Sequence, residues 1–418
     1  MRVFLSLVPA AVALAVPTVA SADTVCDWME YAGRVIDADA PPPGATAPPS
    51  YARSETQVAL AMFEALNAIN RRYETYLDLP LADRGASQDV AAITAAYRVL
   101  HSNHPGQRGP LDENYTLAMA GFAGSPARAA GVAAGEAAAQ AALAAGGIDP
   151  AIAPVPYRPR AEPGVWGATA LPVFDPVSFT YRMWVLPRID AVRPPPPPEL
   201  TSERYSRDFD EVRRLGGREG SERTPVQTIM ARYRITPDMA PSLRFAADMP
   251  GRTPVQNARM FAMLFMASDD SGMANHEAKL FYDFWRPITA IRNADRDGND
   301  ATAREAGWLP LINTPNHPEY PCGHCTYAAT LATVMEAELG ARPAGGVRVS
   351  SRSIPGAAVQ PLASWDEWVT GVSFSRTLGG VHYRFSNEAG EAIGREVGRR
   401  ALAQLMRPLP EGQRRVAR

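Results

Sequence analysis

Apolar side chains recur every three to four residues along several stretches of the chain, which is the spacing of one buried helix face. In Glu55–Arg72, which follows the good N-cap residue Ser54, this face holds Val58, Met62, Ala65, Leu66 and Ile69. Ser87–Leu100 repeats the spacing, and an alanine-rich stretch runs from Ser125-Pro126 to Gly146-Gly147. The pattern therefore predicts three helices before residue 150.

The same spacing predicts further helices in the second half of the chain. They cover Ser202–Leu215, Thr224–Arg234, Pro254–Phe284, Thr326–Leu339, Trp365–Gly379 and Ser386–Leu405. Few stretches alternate apolar and polar residues as strands do, so strands should be minor. Of two proline-rich runs, Pro41–Pro49 and Pro194–Pro198, the second fits a surface crossover or a domain boundary equally well. The predicted fold is all-α, with one or more large helical bundles.

The first 22 residues have the pattern of a secretory signal peptide. Met1-Arg2 precedes an apolar run, Val3–Ala20, and Ala20-Ser21-Ala22 supplies small residues for cleavage. We expect cleavage near Ala22 and export to a periplasm or outside the cell. No later segment predicts a membrane span. Residues 23–418 are expected to form one helical domain, whose motif core covers about 254–405.

Composition narrows the classes of function without choosing one. Hydrophobic residues make up 46% and charged residues 21% of the chain, as in a soluble globular protein. A net charge of −2 gives no reason to expect a nucleic-acid partner. The three cysteines are too few for a disulfide scaffold, but each can pair in an oxidising compartment. Any basic site must therefore be local.

Three segments in the second half carry candidate chemistry. The only lysine, Lys279, lies seven residues before Arg286-Pro287, so on a continuous helix both cations would share a face. Pro321–Thr326 puts Gly323 and His324 at a predicted helix start, where backbone N–H groups bind anions. Ser375–His382 adds Arg376, two glycines and another imidazole. Taken singly, each segment fits solvated cations or packed histidines better.

Their joint occurrence favours an anion site. Four of the six histidines, His276, His317, His324 and His382, fall between residues 276 and 382, as does the only lysine. Lys279, Arg286 and Arg376 supply three positive charges, enough to balance a multiply charged tetrahedral oxyanion. His382 would then be a nucleophile or a ligand of a metal oxyanion, and His324 a general acid or base.

In order, these segments resemble the motifs of the vanadium-dependent haloperoxidase and type-2 phosphatidic acid phosphatase superfamily: Lys-x6-Arg-Pro, Pro-Ser-Gly-His and Ser-Arg-x5-His. The residues around two of the motifs resemble those of the haloperoxidase branch in particular. These segments are Phe-Trp-Arg286-Pro287 and Gly380-Val381-His382-Tyr383-Arg384-Phe385. Weaker likeness extends upstream through Pro163–Trp166, Ser221–Thr224 and Asp270–Ala274.

The resemblance implies a function and a set of site residues. Vanadate, or phosphate in its place, would be held by Lys279, Arg286, Arg376, residue 322 and the Gly323 N–H. His382 would bond the vanadium, His324 would act as acid or base, and Lys279 would polarise bound peroxide. Hydrogen peroxide and a halide would be the substrates. The phosphatase branch would instead cleave a phosphomonoester through a phospho-histidine at His382.

Two positions depart from the family pattern. Cys322 replaces a serine, and a thiol is a weaker donor than a hydroxyl and is oxidisable. Ser386 stands where many phosphatases have an aspartate that orients the histidine, and Asn387 or Glu388 are the nearby substitutes. The first change disfavours peroxidase turnover and the second phosphatase turnover. His317 matches a histidine near the halide pocket of bromide-oxidising members, with a capping role as the alternative.

Other interpretations stay open. Cys322-Gly323-His324-Cys325 is a Cys-x-x-Cys motif, although thiol-exchange enzymes place it in a βαβ context. The same two cysteines fit a structural or regulatory disulfide, which would remove the S–H group from the anion site. Zinc bound by His317, Cys322, His324 and Cys325 is a further option. The non-enzymatic alternative is a degenerate site that binds phosphate or vanadate without turnover.

Overall fold

The computed structural model describes residues 23–39, 50–147, 158, 160–170, 173 and 180–415. The predicted signal peptide, 1–22, and the proline-rich run Pro41–Pro49 lie outside these residues. Helices dominate the described chain, which confirms the all-α prediction. Among the described residues, no helix combines the length and apolarity needed to cross a bilayer.

The first half forms a group of packed helices. It contains α1 (Thr24–Ala38), α2 (Ser50–Ile69), α3 (Gln88–Asn103), α4 (Arg108–Ala120) and α5 (Pro126–Ala145). Helix α5 packs closely on α3: a Cβ on Gly135 would lie 2.6 Å from the Ala91 carbonyl oxygen. Helices α1 and α4 were not predicted. Helix α4 buries only Leu111 and Met119, so its sequence shows little periodicity.

The second half supplies the remaining helices and a small sheet. The helices are α6 (Glu203–Gly216), α7 (Pro225–Tyr233), α8 (Ala240–Ala247), α9 (Pro254–Tyr282), α10 (Pro287–Arg292), α11 (Gly323–Leu339), α12 (Trp365–Leu378) and α13 (Arg384–Gln404). Three antiparallel strands, β1 (Pro237–Asp238), β2 (Val347–Ser351) and β3 (Gln360–Leu362), pair in that order. The six predicted helices correspond to α6, α7, α9, α11, α12 and α13, whereas the short α8 and α10 were missed.

The two halves share a hydrophobic core. One cluster of buried side chains includes residues from Val25 of α1 to Met406 after α13. Helix α2 packs on α9, and α9 packs in turn on α11 and α13. The run Pro194–Pro198 passes over this assembly, where the Tyr320 hydroxyl donates to the Pro195 carbonyl oxygen over 2.7 Å. The run is therefore a crossover held by side-chain contacts.

Helix α13 lies close against the start of α11. Cβ atoms on Gly390 and Gly394 would lie 2.3 Å from the Cys322 carbonyl oxygen and 2.2 Å from the Thr326 carbonyl oxygen, respectively. Only glycine leaves room for this approach, because the atoms that would clash belong to the backbone. The contact fixes the first turn of α11, which carries Gly323 and His324.

Lys279 and Arg286 do not lie on one continuous helix, which was the condition for their sharing a helix face. Helix α9 ends at Tyr282, and Asp283 adopts a left-handed conformation with φ of 48°. Arg286 is the N-cap residue of α10, the helix that starts at Pro287. The two cations therefore reach the same region from two helices joined by a turn.

Candidate anion site

Lys279 is buried in the last turn of α9 and contacts the loop before α11. Its ammonium donates to the carbonyl oxygens of Pro318 (3.2 Å), Glu319 (2.8 Å) and Pro321. An ammonium has three donors, so these carbonyls use all of them. Burial, followed by the nearby Arg286 charge, holds the pKa of Lys279 well below its ordinary value.

Arg286 is fully buried and joins two predicted site segments. Nη1 donates to the Val381 carbonyl oxygen (2.8 Å) and lies 3.2 Å from His382 Nε2. Nε donates to the His317 carbonyl oxygen (3.0 Å), and Nη2 lies 3.0 Å from His317 Nδ1. Burial lowers the pKa of Arg286 to about 10, so the guanidinium stays charged at neutral pH.

Arg376 reaches the site from the last turn of α12. Nη1 donates to the Arg234 carbonyl oxygen (3.2 Å), while Nε is buried without a hydrogen-bond partner. Burial and the charge of Arg286 lower the pKa of Arg376 to about 9. Like charges so close in a buried site destabilise each other unless an anion accompanies them.

His382 is held by a carboxylate that sequence reasoning missed. Glu319 Oε1 lies 2.7 Å from His382 Nδ1 and also accepts from the Tyr383 N–H (3.1 Å). Burial and the neighbouring cations hold the pKa of His382 well below its ordinary value. Neutral His382 therefore carries its proton on Nδ1, toward Glu319, and keeps a lone pair on Nε2.

Neither substitute named from the sequence orients His382. The Asn387 amide donates to the Ser373 carbonyl oxygen (2.9 Å) and Thr377 Oγ1 (3.0 Å), and Glu388 pairs with Arg204 at the surface (2.8 Å). Glu319 comes from a loop 63 positions before His382. Its only sequence signal is a carboxylate three residues before Cys322, which local patterns do not single out.

His324 lies in the first turn of α11, as its position after Gly323 predicts. Its Nε2 is 2.9 Å from the Ile235 carbonyl oxygen, so Nε2 carries the proton and Nδ1 keeps its lone pair. Burial, and next the charge of Arg376, lower the pKa of His324 to about 3. The residue is a neutral base at physiological pH.

Cys322 and Cys325 form a disulfide within the start of α11. The Cys322 sulfur is the N-cap acceptor for the Cys325 N–H (3.2 Å), and both cysteines are fully buried. The sulfur therefore has no proton to donate to an anion, and neither thiolate is present for zinc. Among the described residues, no three His, Cys, Asp or Glu side chains cluster closely enough to hold a metal ion.

Asn275 is a second residue that the sequence analysis missed. It lies one turn before Lys279 on α9 and is fully buried. Its amide donates to Thr326 Oγ1 (2.9 Å) and the Pro321 carbonyl oxygen (3.3 Å), while Oδ1 has no hydrogen-bond partner. A Cβ on Gly323 would lie 3.4 Å from this oxygen, so Asn275 borders the N-terminus of α11.

A cavity of about 1010 Å³ reaches part of the site, where Asn275, His317, Gly323, His324 and His382 line it. The structure thus brings together Lys279, Arg286, Arg376, Gly323, His324 and His382 from α9, the turn after it, α11, α12 and the loop after α12. His317 packs edge-on against His276, with ring centroids 5.6 Å apart. The arrangement is a buried cationic site with two neutral imidazoles.

Part of the chain is similar in sequence to known proteins. Residues 259–411 match the sequence model of the VCPO second helical-bundle domain. Vanadium chloroperoxidase from Curvularia inaequalis is 29% identical over 116 residues, 25% of this chain and 17% of that protein. Vanadium-dependent bromoperoxidase from Ascophyllum nodosum is 27% identical over 132 residues, 28% of this chain and 23% of that protein. The matches thus span less than a quarter of each curated relative.

Solved structures share the fold over most of the chain. A bacterial vanadium-dependent iodoperoxidase aligns with a TM-score of 0.75 and 20% identity, covering 93% of this chain and 98% of its own. A holo-type bacterial vanadium-dependent chloroperoxidase aligns with a TM-score of 0.65 and 19% identity, covering 87% and 94%. The helical fold is thus that of the vanadium haloperoxidases. The sequence similarity to vanadium haloperoxidases thus covers part of the chain, residues 259–411 for the domain model, whereas the fold is shared over most of it.

Proposed function

We propose that this protein is a vanadate-dependent haloperoxidase, which uses hydrogen peroxide to oxidise a halide. The observation that carries the proposal is the lone pair on His382 Nε2, fixed by Glu319 and surrounded by buried cations. The vanadium haloperoxidases among the relatives support the same activity.

The residues present fit an oxyanion. Lys279, Arg286 and Arg376 are buried, whereas Glu319 is the one carboxylate in contact with the site described above. The excess of positive charge, and the partnerless Nε of Arg376, favour a ligand with several negative oxygens. Vanadate and phosphate share that shape and charge, so both are expected to bind.

Each residue has a proposed role in binding. Arg286, Arg376, Lys279 and the Gly323 N–H would hold oxygens of vanadate, and His382 Nε2 would bond the metal. Cys322 was also predicted to bind the anion, but its sulfur is part of a disulfide and has no proton to donate. Its proposed role is therefore limited to fixing the start of α11. When bound, vanadate would supply a Lewis-acid centre that activates peroxide for oxygen transfer to a halide.

The chain itself would manage the protons. Neutral His324 would take a proton from incoming peroxide at Nδ1, while its Nε2–H remains on the Ile235 carbonyl. Lys279 would direct an N–H toward the same oxygens and would release one of its three carbonyl partners to do so. Glu319 would keep the His382 proton on Nδ1 throughout, because it accepts that hydrogen bond.

A second candidate function is phosphomonoester hydrolysis through a phospho-histidine at His382. One observation favours it. Many phosphatases orient the histidine with an aspartate at the position of Ser386. Here the carboxylate of Glu319 contacts His382 Nδ1 instead. The same lone pair on Nε2 would then attack phosphorus, and His324 would protonate the leaving alcohol.

A paired assay on one purified sample tests both functions. With vanadate, peroxide and bromide we expect halogenation of an activated phenol, and His382→Ala should abolish it. Without vanadate, p-nitrophenyl phosphate reports phosphatase action, which vanadate should inhibit. Halogenation absent at every vanadate concentration, with vanadate demonstrably bound, would reject the haloperoxidase proposal. Vanadate binding without either activity would leave a degenerate binding protein.

We also propose that the chain is exported after cleavage near Ala22. The Cys322–Cys325 disulfide supports this proposal, because disulfides persist in oxidising compartments. Mass spectrometry of the protein recovered from a secreting host should give a chain that begins at Asp23. An intact Met1 in that fraction would contradict the prediction.

A further inference from the structure

The cavity is much larger than an oxyanion and peroxide require. Its volume of about 1010 Å³ lies at the upper end of the range for small-molecule sites, roughly 300–1,000 Å³. His324 and His382 line it, and so do the exposed side chains of Arg34, Asp37 and Arg352. The anion site thus adjoins a space that can hold a second, organic molecule.

One wall of this space is flat and apolar. Phe261 and Phe265 of α9 stack with an interplanar angle of 11° and ring centroids 6.4 Å apart. Leu243, Trp368 and Val372 extend the apolar lining. Such a surface favours a planar aromatic ligand over a charged or strongly hydrated one.

Glu55 of α2 is the exception among the acidic residues that line the cavity. Asp37 pairs with Arg352 (2.6 Å), and Glu30 pairs with Arg244 (2.9 Å). The carboxylate of Glu55 has no hydrogen bond or ion pair with any described residue, although it lines the cavity. Burial raises the pKa of Glu55 to about 7, with Arg352 opposing. A carboxylate in such surroundings favours a ligand with an N–H or O–H donor.

Tyr327 of α11 lines the same cavity as Glu55 and the anion-site residues Gly323 and His324. It follows Gly323 by four residues on α11, so it lies on the same face one turn further, about 6 Å along the axis. It is 38% exposed, and its ring lines the cavity. Both groups line the same cavity, and after burial the charge of Glu55 is the largest cause that raises the pKa of the Tyr327 phenol.

We infer that this cavity binds the organic acceptor of the reaction, an electron-rich aromatic compound that carries an N–H or O–H donor. The ring lies against Phe261 and Phe265, and the donor bonds to Glu55. The inference deepens the proposed haloperoxidase function and rests on it for the reaction. Hypohalous acid transfers its halogen to a ring carbon: the C–X bond forms, the O–X bond breaks, and the ring proton leaves with hydroxide as water.

Direct binding to the vanadate-free, full-length protein tests the site. Isothermal titration calorimetry compares indole with 1-methylindole, which has the same ring without the donor. We expect indole to bind at least tenfold more tightly than 1-methylindole. In Glu55→Leu the ratio of the two affinities should fall to about 1, because the acceptor for the N–H is gone. Glu113→Leu, on the exposed side of α4, is the matched control and should keep the ratio.

A second variant tests the cavity itself. Gly33 lines it from the middle of α1, and a Cβ there meets nothing within 4 Å, so Gly33→Phe should fill the space without disturbing the fold. Both ligands should then bind at least tenfold more weakly. The inference would be overturned if indole did not bind. It would also be overturned if Glu55→Leu left the ratio of the two affinities unchanged and Gly33→Phe left both affinities unchanged.

A second assay distinguishes an error in the acceptor site from an error in the proposed haloperoxidase function. Triiodide formation from iodide and peroxide with added vanadate requires no organic acceptor. Triiodide formation without indole discrimination would overturn the acceptor site alone. Indole discrimination that depends on Glu55, in a protein that forms no triiodide, would overturn the haloperoxidase proposal and leave an aromatic-binding cavity.

Discussion

Glu319 determines which nitrogen of His382 is available to a ligand. Because Oε1 accepts from Nδ1–H over 2.7 Å, the other nitrogen keeps its lone pair and faces the cations. Burial raises the pKa of Glu319 to about 7, while Arg286 and Lys279 oppose the shift. Ionisation of Glu319 therefore lowers the free energy of unfolding, and this loss of stability grows as the pH rises toward 7.

We predict that Glu319→Gln removes a pH dependence of stability. A carboxyl whose pKa is raised on folding, from 4.5 to about 7 here, contributes stability that is present below pH 4.5 and is lost as the pH rises through about 7. The vanadate-free variant should therefore gain stability relative to the wild type between these two values. Denaturant unfolding at several pH values measures the difference.

The same variant separates positioning from stability. Halogenating turnover should fall about 10- to 100-fold, because the orienting carboxylate is lost. Glu113→Gln, at an exposed position on α4, is the control and should change neither property. A constant stability difference from pH 4 to 8 would contradict the buried charge that we assign to Glu319.

We predict that His324→Ala separates binding from chemistry. The residue is a neutral base with one nitrogen on the Ile235 carbonyl, so it contributes little charge to anion binding. Vanadate affinity should stay within about threefold, while turnover should fall roughly 10²- to 10⁴-fold. Vanadium-51 NMR titration and bromide oxidation measure the two. Equal losses of both would refute the acid–base role, and His101→Ala on α3 serves as the control.

At the scale of elements, the start of α11 carries the site because three other features fix it. The disulfide closes its first turn, the Cys322 sulfur caps it, and Gly390 and Gly394 let α13 press against its carbonyls. None of these features offers a hydrogen-bond donor to an anion, because the disulfide sulfur carries no proton and the two glycines face the carbonyls of α11. Changes in them should therefore affect anion binding through the position of Gly323.

We predict that the double variant Cys322→Ser/Cys325→Ala binds vanadate more tightly. Serine is a better N-cap than a disulfide sulfur, and its hydroxyl is a stronger donor than any group that Cys322 now has. One hydrogen bond to a charged group contributes about 1.5–3 kcal/mol, which corresponds to a roughly 10- to 100-fold gain. Calorimetric titration with vanadate measures it. The single variant Cys325→Ala leaves Cys322 as a free thiol and measures the effect of that group alone. If the double variant binds vanadate no more tightly than the wild type, residue 322 does not belong to the anion site.

We predict that Gly394→Ala destabilises the protein and weakens anion binding. The added Cβ would meet the Thr326 carbonyl oxygen at 2.2 Å, so α11 must shift, at a cost of about 1–3 kcal/mol or more. Gly33→Ala is the control, since its Cβ meets nothing and helix propensity favours alanine by about 0.5–1 kcal/mol. Thermal unfolding with and without phosphate measures both effects. Equal stability of the two variants would show that α11 and α13 separate without penalty.

At the scale of the whole molecule, the anion should act as a stabilising ligand. Three buried cations repel one another in the free protein, and a bound oxyanion relieves that repulsion. Vanadate at 100 times its Kd should stabilise the fold by about 2.7 kcal/mol. Calorimetry should show Tm rising with vanadate or phosphate concentration, and His382→Ala should reduce the response to vanadate. An unchanged Tm at saturating vanadate would mean that the anion binds folded and unfolded chains alike.

The sequence predicted the helices because their periodicity is local. Nine predicted helices correspond to α2, α3, α5, α6, α7, α9, α11, α12 and α13, and the boundaries differ by a few residues. The helix predicted over Pro254–Phe284 was two residues too long, because Asp283, which adopts a left-handed conformation, and Phe284 do not interrupt the helical pattern in the sequence. Helix α4, which buries only two residues, and the short α8 and α10 gave too weak a pattern, whereas α1 was missed although it buries seven residues.

The site was predictable only where chemistry and spacing coincide. Lysine, arginine and histidine in fixed spacing indicate an anion site whichever helices bring them together. Glu319 and Asn275 carry no such signal, because their roles come from contacts across the fold: one with a histidine 63 positions away, the other with Thr326 at the start of α11. The cavity likewise depends on α1 and α8, neither of which the sequence predicted.

The short connection between α7 and β1 bears on how such an enzyme would change its preferences. Its Arg234 and Ile235 carbonyls hold Arg376 and His324, so two successive peptide groups set the direction of one guanidinium and one imidazole. A backbone shift there would retune charge and proton transfer together, with no substitution among the residues that meet the anion. Selection for a different halide would therefore find effective mutations in this connection.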